Sequence, residues 1–310
     1  MSFVYEKHKQ YSSLGGWLLI NELGDGATSK VFLGFEPKSK RYRAIKVFKK
    51  SDFESIWELQ REAQTQTFVK HSSIVEVEYF YEAIILSDTD GSSRSVSAMV
   101  LELAKGGDLL LLVKRVKFLP EKLARTYFHQ IIEVIEHIHS QKIAHRDIKL
   151  ENFTLDADFC IKLADFGCAT SFSKKAARVS VVGTSKYFAP ELFSGKPYDV
   201  ASADLFASAV VLFCLVYGTM PFRKATESDY FYNLLIEEKT EAFWEAHRSY
   251  SKKRAIESEL NSELKSLMTS MLNPDPQKRL SLFEIKKHPW YLQDIYTRLE
   301  VKELVLRMIN

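Results

Sequence analysis

Apolar and polar positions fall into two regimes: short, strand-like runs over roughly the first hundred residues, then longer helical periodicities. Trp17-Leu18-Leu19-Ile20 begins strand character, and Leu23 to Val31, with glycines at positions 24 and 26, reads as a turn between two strands. A strand is predicted over Tyr42 to Phe48. Two more are predicted over Val75 to Ile85 and Val96 to Leu103, joined by the polar loop Asp88-Thr89-Asp90-Gly91-Ser92-Ser93. Ser51-Asp52-Phe53-Glu54 reads as a capping box opening a helix to about Val69, with Ile56, Leu59, Ala63 and Phe68 as its inner stripe. Residues 1–16 are polar and end in Ser12-Ser13-Leu14-Gly15-Gly16, which reads as a loose lead-in.

In the second regime, Pro120 to Ser140 carries Ala124, Phe128, Ile131, Ile135 and Ile138 at helical spacing, with the proline suited to a first turn. Phe153 to Ala164 alternates like a hairpin around Asp156-Ala157-Asp158, with Cys160-Ile161-Lys162-Leu163 as its return strand. The most apolar run, Leu205 to Tyr217, predicts a buried helix of about 13 residues, too short for a bilayer. Tyr291 to Asn310 is amphipathic and predicts a helix outside the core.

Composition changes this picture little. The chain has 310 residues, 46% apolar and 27% charged, which is an ordinary globular balance. That length allows two domains or one domain with two lobes. A net charge of +3 argues for neither nucleic acid nor membrane as a partner. Cys160, Cys168 and Cys214 lack CxxC spacing and point to a reducing compartment. The start MSFVYEKHKQ shows no apolar signal core and no myristoylation glycine, so a cytoplasmic or nuclear location without membrane insertion is the expectation. Asp88-Thr89-Asp90-Gly91 resembles the start of a calcium loop, but Met99 stands at its twelfth position and calcium is excluded there. His129, His137 and His139 have no cysteine or carboxylate at metal spacing and carry no assigned chemistry.

The chemistry concentrates in His145-Arg146-Asp147-Ile148-Lys149-Leu150-Glu151-Asn152. Its Asp, Lys and Asn at i, i+2 and i+5 suit a loop, where they can take a hydroxyl proton, hold a transferring phosphoryl group and ligate a cation. The predicted hairpin after Asn152 returns the chain to Asp165-Phe166-Gly167, so Asn152 and Asp165 reach the same end and both could hold magnesium on a nucleotide. Upstream, the glycines of Leu23-Gly24-Asp25-Gly26-Ala27-Thr28-Ser29-Lys30-Val31 suit close approach of backbone amides to phosphate oxygens, and Ala44-Ile45-Lys46 follows in a strand.

Taken together, HRDxKxxN followed by DFG resembles the catalytic and metal loops of protein kinases. Ala44-Ile45-Lys46 is similar to the family's VAIK lysine, and Ala189-Pro190-Glu191 matches its APE. The likeness runs over roughly residues 17–290 and includes Gly183-Thr184-Ser185-Lys186-Tyr187, Asp204, Arg279 and His288-Pro289-Trp290. It is greatest to the calmodulin-dependent and AMP-activated serine/threonine kinases.

The resemblance implies an α+β, two-lobed protein kinase fold. A small five-stranded antiparallel N-lobe with one main helix (17–104) is expected, a larger, mainly helical C-lobe (105–290), and ATP and Mg2+ between them. Residues 1–16 would be an extension and 291–310 a tail helix. The implied reaction moves the γ-phosphoryl group of Mg-ATP to a protein Ser or Thr. Asp147 would accept the hydroxyl proton, Lys149 would steady the moving phosphoryl group, and Asn152 with Asp165 would hold the metals. Lys46 would clamp the other phosphates, held by Glu62, which lies nine residues before His71 and is favoured over Glu54 and Glu58. Leu23, Gly24, Gly26, Val31, Ala44, Leu101 and Thr154 would enclose the nucleotide, and backbone groups of Glu102 and Ala104 would hold the adenine edge.

Asp108 would lie near the ribose or, with Glu151, read an arginine three residues before the phosphoacceptor. Asp204 would brace the catalytic loop, Thr184 would bridge Asp147 and Lys149, and Arg279 would pair with Glu191. Ser180 is expected to take an activating phosphate from an upstream kinase and pair with Arg146, in competition with Lys174, Lys175 and Arg178. The chain departs from the family at Leu150, Thr154, Gln66, Phe206 and Ala209. Gln66 is expected to face the strands and Phe166 without partners, weakening the docked helix, unless a shifted register leaves it in water. The rival reading is a pseudokinase that keeps the fold as a switch.

Overall fold

The computed structural model describes residues 10–26, 28–49, 52–172, 180–252 and 261–310, without the side chains of 249–252. The chain divides into two units: residues up to Lys105 together with Asp165–Gly167, and Gly106–Ala164 together with Cys168–Asn310.

The first unit is a closed antiparallel barrel with one helix. Its strands are β1 (Ser12–Leu14), β2 (Trp17–Asp25), β3 (Ser29–Glu36) and β4 (Arg41–Phe48). After helix α1 (Phe53–Phe68) come β5 (Val77–Ser87) and β6 (Ser93–Leu101). The order β1-β2-β3-β4-β6-β5 closes because β1 pairs with β2 on one side and β5 on the other. This corrects the five-stranded expectation and the loose lead-in before Trp17. The cause is Leu14, fully buried with Trp17, Leu19, Leu86 and Val96, worth about 1.5–3 kcal/mol as a buried leucine. Gly15 and Gly16, at φ of 52° and 96°, supply the two positive-φ positions of the tight turn that puts Leu14 opposite Trp17.

α1 is capped by Asp52, whose side chain accepts from Ser55 N at 2.9 Å; the expected box beginning at Ser51 falls outside the described residues. The hairpin between β5 and β6 is tighter than the sequence suggests. Asp88 N donates to Ser92 O, and Asp90 Oδ1 takes Ser92 N, so both strands run up to a five-residue turn.

The second unit is mostly helical. It contains β7 (Gly107–Asp108), α2 (Leu109–Val116), α3 (Glu121–Ser140), β8 (Ile143–Ala144), β9 (Phe153–Leu155), β10 (Ile161–Leu163) and β11 (Thr170–Ser171). The helices α4 (Val200–Tyr217), α5 (Tyr230–Ile236), α6 (Thr240–Lys252), α7 (Ser262–Met271), α8 (Leu282–Lys287) and α9 (Arg298–Ile309) follow. β10, β9 and β7 form one small sheet, and β11 pairs with β8. Pro120 is the N-cap of α3 and not its first helical residue.

α4 has 18 residues, since Asp199 caps it at 2.9 Å and Gly218 ends it in the left-handed region. It is the one helix among the described residues long and apolar enough to cross a membrane, which corrects the 13-residue reading; 83% of it is buried within the protein.

The chain after Trp290 also differs from expectation. Residues 291–297 are an irregular strap whose polar groups are taken by α3. Arg125 Nε donates to Asp294 O at 3.2 Å, Tyr296 N to Thr126 Oγ1 at 3.0 Å, and His129 Nε2 meets Tyr291 O at 2.7 Å. Only then does Thr297, with Glu300, open α9 through a capping box. α9 buries Val301 and Val305. It pairs Arg298 with Asp156 (2.7 Å) and Asp158 (2.9 Å), and Lys302 with Asp158 (2.8 Å). It therefore docks on the β9–β10 turn of the core and does not stand outside it.

Candidate active site

In the strand unit the site is built on β4, α1 and Asp165. Strand alternation turns Lys46 inward, where its Nζ donates to Glu62 Oε1 at 2.6 Å and Asp165 Oδ1 at 2.9 Å. Burial opposes the Lys46 charge, but the two carboxylates outweigh it and hold its pKa above the ordinary lysine value. Burial pushes the Glu62 carboxyl up, against the pull of Lys46 and with a push from Asp165. Two acids thus share one ammonium. The side chain of Glu62 is 4% exposed and that of Asp165 is 45% exposed, so the shared cation has one dry partner and one facing solvent. Of the three candidate glutamates on α1, Glu62 is the one that meets Lys46. Arg61 Nη2 adds a bond to Gly167 O at 3.4 Å.

Gly24 pairs with Val31, and Gly26 N donates to Ser29 O at 2.9 Å, so the glycine-bearing segment is the tip of a hairpin. Lys49 fastens it by donating to Gly26 O at 2.6 Å and pairing with Asp25 at 2.6 Å. Leu23 sits on the exposed part of β2, and Ala44 lies across from Leu101 on β6. Glu102 N donates to Glu76 O at 2.9 Å, which fixes the backbone at the segment where the adenine edge is expected, with Ala104 two residues on.

Gln66 is buried, which excludes the register that would leave it in water, but it is not partnerless. Its Nε2 donates to Val75 O at 2.7 Å, and only Oε1 has no partner among the described residues. The expectation of an unpaired amide is therefore corrected. The turn after α1 swings Val75 O toward the helix, an approach that sequence spacing does not reveal.

In the helical unit the catalytic loop hangs from Asp204 on α4. Its Oδ2 takes His145 N at 2.9 Å, its Oδ1 takes Arg146 N at 2.8 Å, and His139 Nε2 donates to Oδ2 at 2.9 Å. Arg146 has φ of +64°, a strained turn that these bonds hold in place. His139 is a positioning residue that the sequence reading missed. Its signal was present: it stands four residues after Ile135, on the inner stripe of α3.

Asp147 and its neighbours form a closed network. Lys149 Nζ donates to Asp147 Oδ2 at 2.6 Å and Thr184 Oγ1 at 3.0 Å, and Thr184 N donates to Asp147 Oδ1 at 2.9 Å. Asn152 Nδ2 donates to Asp147 O at 2.8 Å and Oδ2 at 3.2 Å. Asn152 Oδ1 accepts no hydrogen bond among the described residues. The β9–β10 ladder returns Ala164 to Asn152, donating to its carbonyl at 2.9 Å, with Asp165 next in the chain.

Thr154, on β9, spends its hydroxyl on Lys162 O at 2.8 Å. Asp108 caps α2, taking Leu111 N at 2.7 Å; burial raises its pKa, with a further push from Glu151, so these two acids lie close. Arg146 donates to Cys168 O at 2.7 Å and Ser180 O at 3.2 Å, and meets the Tyr198 hydroxyl. No carboxylate pairs with Arg146 among the described residues. Lys174, Lys175 and Arg178 lie outside them. Arg279 grips Glu191 through Nη1 at 2.7 Å and Nη2 at 3.0 Å, anchoring the segment that ends at Ala189-Pro190-Glu191.

The chain belongs to the protein kinase family: the protein kinase domain profile matches residues 17–291. Its antiparallel strand unit and helical unit are the two lobes of that fold. It is 34% identical over 276 residues to CBL-interacting protein kinase 26 of Oryza sativa subsp. japonica, covering 87% of this chain and 51% of the relative. It is 33% identical over 281 residues to the probable serine/threonine-protein kinase MARK-A of Dictyostelium discoideum, covering 90% of this chain and 24% of the relative. The chain thus spans about half, or less, of the length of the curated relatives it matches. Both relatives fall within the calmodulin-dependent and AMP-activated group that the motifs resemble.

The family uses ATP and Mg2+, and the residues present fit both. Lys46 is a buried cation for phosphate oxygens, while the Asn152 amide oxygen and the Asp165 carboxylate are the hard oxygen donors Mg2+ takes.

Proposed function

We propose that this chain is a serine/threonine protein kinase that transfers the γ-phosphoryl group of Mg-ATP to protein hydroxyls. The observation that carries this is the network around Asp147, in which Lys149, Asn152 and Thr184 hold a carboxylate in one orientation beside an ammonium. When bound, Mg-ATP supplies the transferable phosphoryl group and the metal charge that neutralises its oxygens. Asp147 orients the acceptor hydroxyl and takes its proton. Lys149 stabilises negative charge on the moving group, and Asn152 and Asp165 would hold the metal. Lys46, kept in place by Glu62, binds the remaining phosphates. Such positioned charges are worth several kcal/mol each, of order 3 per contact, in a water-poor site.

Asp108 and Glu151 support a preference for arginine three residues before the acceptor. A phosphate on Ser180, added by an upstream kinase, would give the Arg146 guanidinium an anionic partner, which no carboxylate provides among the described residues, and order the segment. Cytoplasmic or nuclear location is part of the same reading.

The test is incubation of the purified protein with Mg-ATP labelled at the γ-position and a generic basic protein, followed by phosphoamino-acid analysis. Label in phosphoserine and phosphothreonine, abolished by Lys46→Met, is the expected result. No incorporation above the Lys46→Met background overturns the proposal.

A further inference from the structure

We infer that the helical unit carries a second substrate-reading site, a basic pocket that selects an anionic side chain near the phosphoacceptor; the inference rests on the kinase reading above. The pocket has a volume of about 560 Å3, with Ser185, Lys186, Arg223, Lys224, Thr226 and Asp229 around it and Met220 and Phe222 among its apolar lining. Three cations face this space, and none pairs with a carboxylate among the described residues.

Among the described residues the only acid on the wall is Asp229, and each of its oxygens accepts a backbone amide. Oδ2 accepts Arg223 N at 2.9 Å, and Oδ1 accepts Tyr232 N at 3.0 Å. Each Asp229 oxygen thus spends part of its acceptor capacity on the backbone, no lysine or arginine of the wall pairs with it among the described residues, and the wall keeps a net charge of +2 by the simple count of three cations and one anion.

The pocket is built from two short, pinned segments. Ser185–Tyr187 is a 3₁₀ turn, closed by Tyr187 N donating to Thr184 O at 3.0 Å. Tyr187 is buried on its inner side, while Lys186 is exposed on the outer. The loop from Arg223 to Asp229 is tied by Thr226 N to Lys224 O at 2.9 Å, Asp229 N to Thr226 O at 3.0 Å, and Thr226 Oγ1 with Ser228 Oγ at 3.0 Å. The backbones under the cations are therefore fixed before any ligand arrives, which lowers the ordering cost of binding.

Its place in the chain gives the pocket its function. Ser185 follows Thr184, whose amide and hydroxyl bond Asp147 and Lys149. Two residues span at most roughly 7 Å, so the pocket mouth lies within about five residues of an extended peptide whose acceptor hydroxyl meets Asp147. The ligand chemistry is an anion with several acceptor oxygens, either a carboxylate or a phosphoryl group. Arg223 offers a planar fork to either, and the larger charge of a phosphate gains more from three cations. Asp108 and Glu151 present the opposite sign elsewhere in this unit, so a substrate carrying both signs would be held in one register.

The experiment is a positional-scanning peptide library with a fixed Ser/Thr acceptor, phosphorylated by wild-type protein and by the Arg223→Ser/Lys224→Ser double variant. Each flanking position out to five residues carries a neutral residue, Asp, Glu or phosphoserine in turn. We expect at least fivefold higher kcat/KM for an anion at one position. That ratio should fall to about one in the double variant, whatever its absolute turnover. The arms also separate the two sources: phosphoserine above Asp and Glu assigns the pocket to a primed substrate, and equal response assigns it to acidic residues. A library phosphorylated without anion preference, or a preference that survives the double variant, overturns the pocket and leaves the kinase reading standing. No phosphorylation of any peptide overturns the kinase reading and the pocket with it.

Discussion

The Thr184 amide donates to Asp147 Oδ1 at 2.9 Å, so the carboxylate divides its work: one oxygen is fixed by backbone, and the other faces Lys149 and Asn152. An asparagine at position 147 could keep the first bond. Its amide nitrogen would then face two donors. Asp147→Asn is therefore expected to fold and bind nucleotide but lose turnover by about 10²–10⁴-fold, the range for removal of a general base. Phosphate incorporation measured beside a nucleotide-binding titration checks this; turnover within threefold of wild type would remove Asp147 from the mechanism.

Gln66→Leu has a different expected outcome from that of a partnerless buried amide. Leucine relieves the orphan Oε1 but takes the Nε2 donor away from Val75 O. Each buried unpaired group costs about 1–3 kcal/mol. The two effects offset one another, so stability should change by less than about 1 kcal/mol and basal activity less than threefold. Urea denaturation and an activity assay on unphosphorylated protein measure both. A large rise in activity would restore the idea that Gln66 loosens α1, and with it the weight of the pseudokinase-like switch.

Asp204 takes two backbone amides and the His139 ring at 1% exposure. Asp204→Ala leaves two buried N–H groups unpaired, a cost of about 2–6 kcal/mol at 1–3 each, and should lose both fold stability and activity. His139→Phe removes one bond and keeps the packing on Phe172. It should lower turnover without moving KM for ATP, which steady-state kinetics would show.

His247 sets a pH dependence. It lies among Phe213, Phe231 and Phe243, with Nε2 unpartnered among the described residues, and burial pulls its pKa down to about 4 from 6.5. Below pH 6.5 the unfolded chain takes up a proton that the folded chain refuses, so stability falls as pH drops through 6.5 toward 4. Between pH 7 and pH 5 the loss is about 2 kcal/mol at 1.36 kcal/mol per unit. His247→Leu should flatten that part of the profile. Matched urea titrations of both proteins at the two pH values give the difference, and identical slopes would exclude His247 as the source.

For α9, the ion pairs and the apolar contacts predict different responses. Arg298 is more than half exposed, and such pairs contribute about 0–1 kcal/mol each. Arg298→Ala with Lys302→Ala should therefore matter only at low salt. Val305→Asp buries a charge where a side chain is fully enclosed and should undock the helix at any salt concentration. Thermal melts at two ionic strengths distinguish these cases; equal losses from both variants would contradict the division.

Much of the site was legible because its spacing is local or its residues sit in long periodic elements. Glu62 could be placed from its distance to the turn at His71, and the catalytic loop from eight consecutive residues. β1 was not legible: three residues, Ser-Ser-Leu, carry too little alternation, and their pairing with β5 spans more than seventy positions. The Gln66 partner is a backbone carbonyl, invisible to side-chain patterns. The strap before α9 failed for a related reason. Its helical periodicity is genuine, but Arg125, Thr126 and His129 on α3 offer its backbone better partners than a helix would.

The closure of the strand unit by Ser12–Leu14 governs what can attach to it. An open sheet ends in a row of unsatisfied amides and carbonyls, a template on which another chain can lay a strand or a misfolded copy can begin a fibril. Here β1 joins the two ends of the row, pairing with Trp17, Leu18 and Leu19 of β2 and with Leu86 and Ser87 of β5, so that end of the described sheet has no such margin. A truncation that begins at Trp17 would uncover those residues of β2 and β5 and open them to strand-by-strand self-association.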